Sequence, residues 1–305
     1  MVIEYQKPRI QPRRNFEIRH KDILSPGHLA CPACGAAITM RMAIRILGPK
    51  TIIASPACCW AVIDGPFPYS ATGVPFMHCA FETAAISAAG IRAGLAARGI
   101  HDINVVAWAG DGGTLDIGIQ CLSACAERNE DILYICYDNE AYMNTGIQRS
   151  SATPKNTWTS TTPWGMLKKE PKKDVVAILV AHNIPYIATT TPSFPDDFRM
   201  KFERAKGIRG FRFIHVLAPC TAGWKYEERY TIELGRLAVH SKIFPLYEVF
   251  DSRRYVINVE PKGIPVQEYL KYQGRYSRLT EQEISEIQQE ADQRWEELCR
   301  KARQS

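Results

Sequence analysis

Two apolar strands that each end in a polar turn constrain this chain more than any other feature. The first reads Val-Val-Ala-Trp-Ala and runs into Gly110-Asp111-Gly112-Gly113; the second reads Leu-Tyr-Ile-Cys-Tyr and ends in Asp138-Asn139. Strands apolar at nearly every position need cover on both faces, as in a parallel sheet sandwiched by helices. In such a sheet both turns fall at carboxyl ends of strands, where α/β folds bind ligands. Glycines let backbone N–H groups approach a diphosphate, and a helix N-terminus favours its negative charge. A carboxylate and a side-chain amide offer the oxygens a hard Mg²⁺ requires. Gly-Asp-Gly alone is equally well a plain turn; its pairing with Asn139 favours the ligand reading.

The rest of the chain fits that sheet. Patterning predicts helices over residues 36–47, 79–98, 116–128, 174–182 and 195–205, and strands over 51–55, 103–109, 132–137, 186–189 and 212–217. The expected fold class is α/β, a doubly wound, mostly parallel sheet. Residues 1–26, polar and with prolines at 8, 12 and 26, read as an extended arm; 27–257 form the body; 258–305 form a helical tail. Small residues from Ala84 to Gly90 suggest close helix packing. Thr280 and Glu283 form a capping-box pattern ahead of a charged helix over 281–302, read as a tail that wraps a partner without catalytic content.

A net charge of +6 suits an acidic partner or anionic cofactors and is no nucleic-acid signature. No apolar run reaches the roughly 18–20 residues that span a bilayer, and the first residues lack the apolar core of a secretory signal. These features predict a cytoplasmic chain with reduced thiols, so ten cysteines point to metal or redox chemistry more than to disulfides. Cys121, Cys125 and Cys136 sit in apolar patterns and read as core, and Cys299 as incidental. Cys31-Pro-Ala-Cys34 is compatible with half a zinc knuckle, a redox dithiol or a pair of iron–sulfur ligands. Cys58-Cys59 and Cys220 follow strands, and four thiolates from such loops fit a [4Fe–4S] cluster. His28 and His78 read as structural, and Glu82 as a charge favoured by a helix start.

The Asp111/Asn139 pairing resembles the thiamine diphosphate enzymes. Cys31-x-x-Cys34-Gly, a Cys shortly before Pro66-Phe67-Pro68, His78-Cys-Ala-Phe-Glu82, Gly110-Asp-Gly-Gly-Thr114, the run YDNEAYMNTGIQRS and Ala218-Pro-Cys-Thr-Ala-Gly-Trp224 together resemble the thiamine-binding β subunit of pyruvate:ferredoxin oxidoreductase, over roughly residues 25 to 224. The resemblance implies that Asp111 and Asn139 hold Mg²⁺ by side chain and Ala141 by its carbonyl, while Gly110, Gly112 and Gly113 line the diphosphate. It implies cluster ligands Cys31, Cys34, Cys59 and Cys220, with Cys59 also beside the thiamine and Asn144 reaching the substrate. Spacing to Pro66 favours Cys59 over Cys58. Thr145, Gly146 and Gln148 would shape the loop over the cofactor.

By the same resemblance the activity is oxidative decarboxylation of a small 2-oxoacid, with electrons passed to ferredoxin. Partner subunits would supply a catalytic Glu and further clusters, so the chain alone would be inactive. Two departures stand out: Ala36 replaces a family Glu, and Trp60-Ala61 an aliphatic–acidic pair. Losing a carboxylate makes a site less hostile to a second negative charge, which brings in oxalate beside pyruvate; oxalate would need no coenzyme A. The competing readings are a non-redox thiamine decarboxylase or carboligase, which leaves the cysteines idle, and a zinc-stabilised structural subunit, which leaves Asp111 and Asn139 unexplained.

Overall fold

The computed structural model describes residues 22–305, so most of the expected arm lies outside the described residues. Residues 22–25 pair with the segment around Thr72: Leu24 bridges Thr72 and is fully buried, and Ser25 N donates to Ala71 O at 2.8 Å.

Eight strands form one sheet: β1 (Thr51–Pro56), β2 (Phe76–Cys79), β3 (Asn104–Gly110), β4 (Leu133–Asp138), β5 (Tyr186–Thr190), β6 (Arg212–Leu217), β7 (Tyr247–Phe250) and β8 (Arg254–Ile257). Their order is β2-β1-β3-β4-β6-β5-β7-β8, with the first six parallel and β7 and β8 antiparallel. Alternation along each central strand splits the core in two. Val106, Trp108, Ile135 and Tyr137 face the helices Gly35–Leu47 and Pro195–Gly207. Val105, Ala107, Tyr134 and Cys136 face Ala84–Ala97, Ile119–Glu127 and Val175–Val180. Each buried aliphatic side chain contributes about 1.5–3 kcal/mol. The doubly wound architecture is the expected one, and Cys125 and Cys136 are core residues.

Two helices differ from the sequence pattern. Cys79 ends edge strand β2 and residues 80–83 form a turn closed by Thr83 N to Ala80 O at 3.0 Å, so the helix expected from 79 starts at Ala84. The helix expected from 116 is preceded by a wide π turn, Gly112–Asp116, a distortion found mostly at functional sites. The capping box is formed: Thr280 Oγ1 accepts from Glu283 N at 3.2 Å, and Glu283 Oε2 accepts from Thr280 N at 2.8 Å. The helix it opens, Glu281–Gln304, packs Ile287 and Ala291 into a third core with Leu217, Trp224 and Tyr269 of the same chain. Among the described residues no helix is long and apolar enough to cross a membrane.

Candidate functional site: an oxygen cage beside four cysteines

The carboxyl ends of β1, β3, β4 and β6 lie side by side, because Gly110 is opposite Tyr137 and Asp138 opposite Leu217 in the ladder. Asp111 leaves β3 and Asn139 leaves β4; both are buried, as is Ala141. The backbone between Asn139 and Ala141 turns through a left-handed Glu140 (φ 68°), a conformation non-glycine residues adopt only when held there. The Asn139 carboxamide oxygen faces the Ala141 carbonyl and Asp111 Oδ1. Turned by half a rotation, its nitrogen would lie 2.9 Å from the first and 3.1 Å from the second. Between neutral partners that turned form is better. A hard cation reverses the preference, since three convergent oxygens are what it binds. The orientation described also directs Nδ2 at Cys59 Sγ, 3.7 Å away.

Asp111 accepts a 2.5 Å hydrogen bond from Ser150 Oγ. Burial and the nearby Asp138 charge push its carboxyl well above the usual range, an electrostatic cost that a bound cation offsets. Gly112 lies beneath the ring of Tyr142: a Cβ there would come within 2.1 Å of Cε1. Tyr142 is fixed by a 2.6 Å hydrogen bond to Asp116 Oδ2. Gly110, Gly112 and Gly113 therefore form a turn packed closely against Tyr137, Tyr142 and Phe81.

Behind the cage runs a buried ionic chain that the sequence did not announce. Asp138 Oδ2 meets Lys172 Nζ at 2.6 Å and His215 Nε2 at 2.7 Å; Lys172 meets Glu140 Oε1 at 2.9 Å; Glu140 Oε2 meets Arg275 Nη2 at 2.7 Å. Burial alone would raise the Asp138 pKa, but Lys172 and His215 hold it well below the usual carboxylate range. Trp224 Nε1 donates to Asn139 O at 2.8 Å. Lys172 lies in the loop ahead of the helix Val175–Val180 and Arg275 in the tail region; only the fold brings them here.

The cysteines come from three loops. Thr221 Oγ1 to Pro32 O (3.4 Å), Thr231 Oγ1 to Ala33 O (2.9 Å) and Gly35 N to Pro219 O (3.1 Å) join the Cys31–Cys34 loop to the Cys220 loop. Cys59 reaches them from β1. Its thiol is pushed up by burial and then by Cys58, Cys220 and Cys34. Cys220 is pushed up to about 11 by burial, with Cys34 and Cys31 adding to it. Cys58 instead lies buried against Ser55 Oγ (3.5 Å) and Tyr137. Among the described residues no group of three or more His, Cys, Asp or Glu side chains is placed to hold a metal ion; the thiols of Cys34, Cys59 and Cys220 lie within electrostatic reach of one another.

Gly35 sets how closely the loops approach. A Cβ would come within 2.6 Å of Pro219 O, and such overpacking costs about 1–3 kcal/mol. We expect Gly35→Ala to lower the thermal midpoint; a wild-type midpoint would contradict this geometry.

Asn144, expected at the substrate, is exposed and donates from Nδ2 to Cys58 O at 2.9 Å, tying the cation loop to the cysteine loop. Thr145 Oγ1 bonds Gln148 Oε1 at 2.8 Å within the same loop. His28 Nδ1 accepts from Ala30 N at 3.4 Å, a local turn contact. His78 stands 3.6 Å from buried Asp64. Lys168 braces the loop from below, donating to Thr153 O at 2.6 Å and Pro171 O at 3.0 Å, and burial lowers its pKa to about 8. Below that pH both folded and unfolded chains are protonated and the folded one carries a desolvated charge. Between about 8 and 10.5 only the unfolded chain is protonated, so stability rises with pH. Denaturation midpoints measured across this window should rise less in Lys168→Met than in wild type; parallel curves would refute the assignment.

Comparison with known proteins matches residues 68–216 to the thiamine pyrophosphate enzyme, C-terminal TPP binding domain. The chain is 46% identical over 299 residues to the ketoisovalerate oxidoreductase subunit VorB of Pyrococcus abyssi, covering 94% of this chain and 95% of that one. It is 48% identical over 289 residues to the pyruvate synthase subunit PorB of Methanocaldococcus jannaschii, covering 92% and 97%. Among solved structures, 2-oxoglutarate:ferredoxin oxidoreductase from Magnetococcus marinus superposes with a TM-score of 0.58 at 21% identity, covering 73% of this chain and 82% of that chain, a likeness of fold.

Proposed function

Because the chain belongs to the thiamine-diphosphate-binding subunits of the 2-oxoacid:ferredoxin oxidoreductases, we propose that it carries both the cofactor at which the oxoacid reacts and the first electron acceptor. Asp111, Asn139 and the Ala141 carbonyl hold Mg²⁺, and the turn Gly110-Asp111-Gly112-Gly113 receives the diphosphate. Cys31, Cys34, Cys59 and Cys220 hold a [4Fe–4S] cluster. The observation that carries this reading is the convergence of Asp111 Oδ1, the Ala141 carbonyl and the Asn139 carboxamide at the ends of β3 and β4, with Cys59 Sγ beside the same carboxamide. Bound there, thiamine diphosphate would supply a nucleophilic carbon and an electron sink for decarboxylation of the 2-oxoacid.

The chain's own residues orient and insulate. Glu140, held by Lys172 and Arg275, fixes the loop that presents both Asn139 and Ala141. Tyr142 covers the diphosphate turn, and Asn144 bonds the Cys58 carbonyl from the same loop. A cluster bound here would be held by Cys31, Cys34, Cys59 and Cys220, whose loops meet through Gly35 N and Pro219 O. A non-redox decarboxylase would leave that arrangement without use.

The substrate is a small 2-oxoacid. The relatives carry the names pyruvate synthase and ketoisovalerate oxidoreductase, which supports a monocarboxylate ahead of oxalate. Ala36, buried in the first turn of the helix that follows Cys34, adds no charge to the site. Other subunits of the complex, supplying a catalytic Glu and further clusters, and ferredoxin as final acceptor are the partners; coenzyme A serves where an acyl residue remains.

Iron, sulfide and zinc analysis of the purified complex tests the cofactor assignment. We expect iron and sulfide in the wild type, and a Cys220→Ser variant that loses this cluster's signal yet still binds thiamine diphosphate. Zinc without iron at these cysteines would overturn the reading.

A further inference from the structure

We infer that the Asn139 carboxamide couples the cation site to the cluster, donating its Nδ2–H to Cys59 Sγ when its oxygen is committed to a cation. The inference rests on the cofactor assignment above. It starts from one side chain that touches both sites. In the orientation described, Oδ1 faces Asp111 and the Ala141 carbonyl while Nδ2 lies 3.7 Å from Cys59 Sγ. In the other orientation the nitrogen bonds Ala141 O at 2.9 Å and Asp111 Oδ1 at 3.1 Å, and the oxygen faces the sulfur instead.

Which form is stable depends on charge between the oxygens. With none, the amide nitrogen belongs among them, because it is the donor that two acceptors need. A divalent cation there requires oxygen and expels the nitrogen. The exchange is a half-turn about the terminal side-chain torsion. It does not need the backbone to move, because Trp224 Nε1 holds Asn139 O and the ion pairs of Glu140 hold the next residue.

The consequence falls on Cys59. A hydrogen bond to a ligating sulfur favours the more negative, reduced cluster and raises its potential. An amide oxygen in the same place disfavours it. A cation on Oδ1 also polarises the amide and strengthens the N–H donor. The cluster is then the better electron acceptor when Mg²⁺ and diphosphate are in place, and the poorer one when the thiamine site is empty. Asn139 is in this respect a positioning residue, and the quantity it moves is a potential.

The test is a redox titration of the cluster, followed by electron paramagnetic resonance in the intact complex. It is run loaded with Mg²⁺ and thiamine diphosphate and again after depletion with a chelator, in wild type and in Asn139→Asp. The variant keeps an oxygen for the cation and has no N–H for Cys59. Failure to find a reduced-cluster signal would sink the cofactor assignment. A cluster that is present separates the two ideas. We expect depletion to lower the wild-type potential, and Asn139→Asp to titrate lower when loaded and to move less on depletion. A wild-type-sized response in the variant, or an unmoved wild-type potential, overturns the coupling. If the variant does not assemble, the wild type suffices. Transfer into ²H₂O should reveal an exchangeable proton coupled to the reduced cluster that weakens on depletion, and equal coupling in both states would equally overturn it.

Discussion

Replacing Lys172 by Met should cost about 3–5 kcal/mol of stability, the penalty for leaving buried charge without its partner. The ammonium lies between Asp138 and Glu140, both almost wholly enclosed. Burial lowers its proton affinity, and the two carboxylates more than reverse that. Removing the cation strands two negative charges a residue either side of Asn139. His215 remains against Asp138 and Arg275 against Glu140, so the chain should still fold, with a thermal midpoint lower by about 5–10 °C. An internal control is Lys271, whose pair with Glu268 is half exposed on both sides. Pairs this exposed contribute little, and Lys271→Met should melt within about 2 °C of wild type. Equal effects from the two substitutions would show that the ionic chain behind the cage carries no load.

Asp111→Asn should separate stability from cation binding. The carboxyl is buried beside the Asp138 charge and accepts from Ser150. Its charge is therefore costly until a cation arrives. The amide keeps an acceptor for Ser150 and removes that cost, so the chelator-treated variant should be as stable as wild type or more so by about 0.5–2 kcal/mol. Mg²⁺-dependent thiamine diphosphate affinity should fall by more than the roughly 10–100-fold that loss of an outer partner costs at metal sites. Calorimetric titration with the cofactor and melting in chelator give both numbers. Retained affinity would remove Asp111 from the cage.

The parts legible in the sequence are those where a local pattern meets a topological rule. The apolar strands ahead of Gly110 and Asp138 announce a two-sided parallel sheet, and the sheet then dictates that both turns share one edge. Spacing favours Cys59 over Cys58 as the third cysteine, and only the fold shows that Cys58 lies against Ser55 and Tyr137. What was not legible depends on distant pairings. Lys172 lies in a loop and Arg275 in the tail region, yet they meet Glu140 across long stretches of chain. Cys79, where the pattern starts a helix, instead ends edge strand β2, paired with Pro56 of β1. The helix Thr231–His240 and the antiparallel strands β7 and β8 have no signal as sharp as the glycine turns. The second role of Asn139 depends on which way an amide faces, a property that residue identity alone does not encode.

The central claim is that one chain holds a thiamine site and an iron–sulfur site so that electrons released from a 2-oxoacid leave through the second. Reduction of ferredoxin or a viologen by the purified complex, with pyruvate, 2-oxoisovalerate and oxalate tested separately with and without coenzyme A, addresses it most directly. We predict reduction that depends on a 2-oxoacid, requires thiamine diphosphate and Mg²⁺, and needs coenzyme A for the monocarboxylates. It should be absent from the isolated chain and from the complex carrying Cys220→Ser. CO₂ release without reduction of any acceptor, or full electron transfer in the Cys220→Ser complex, would contradict it.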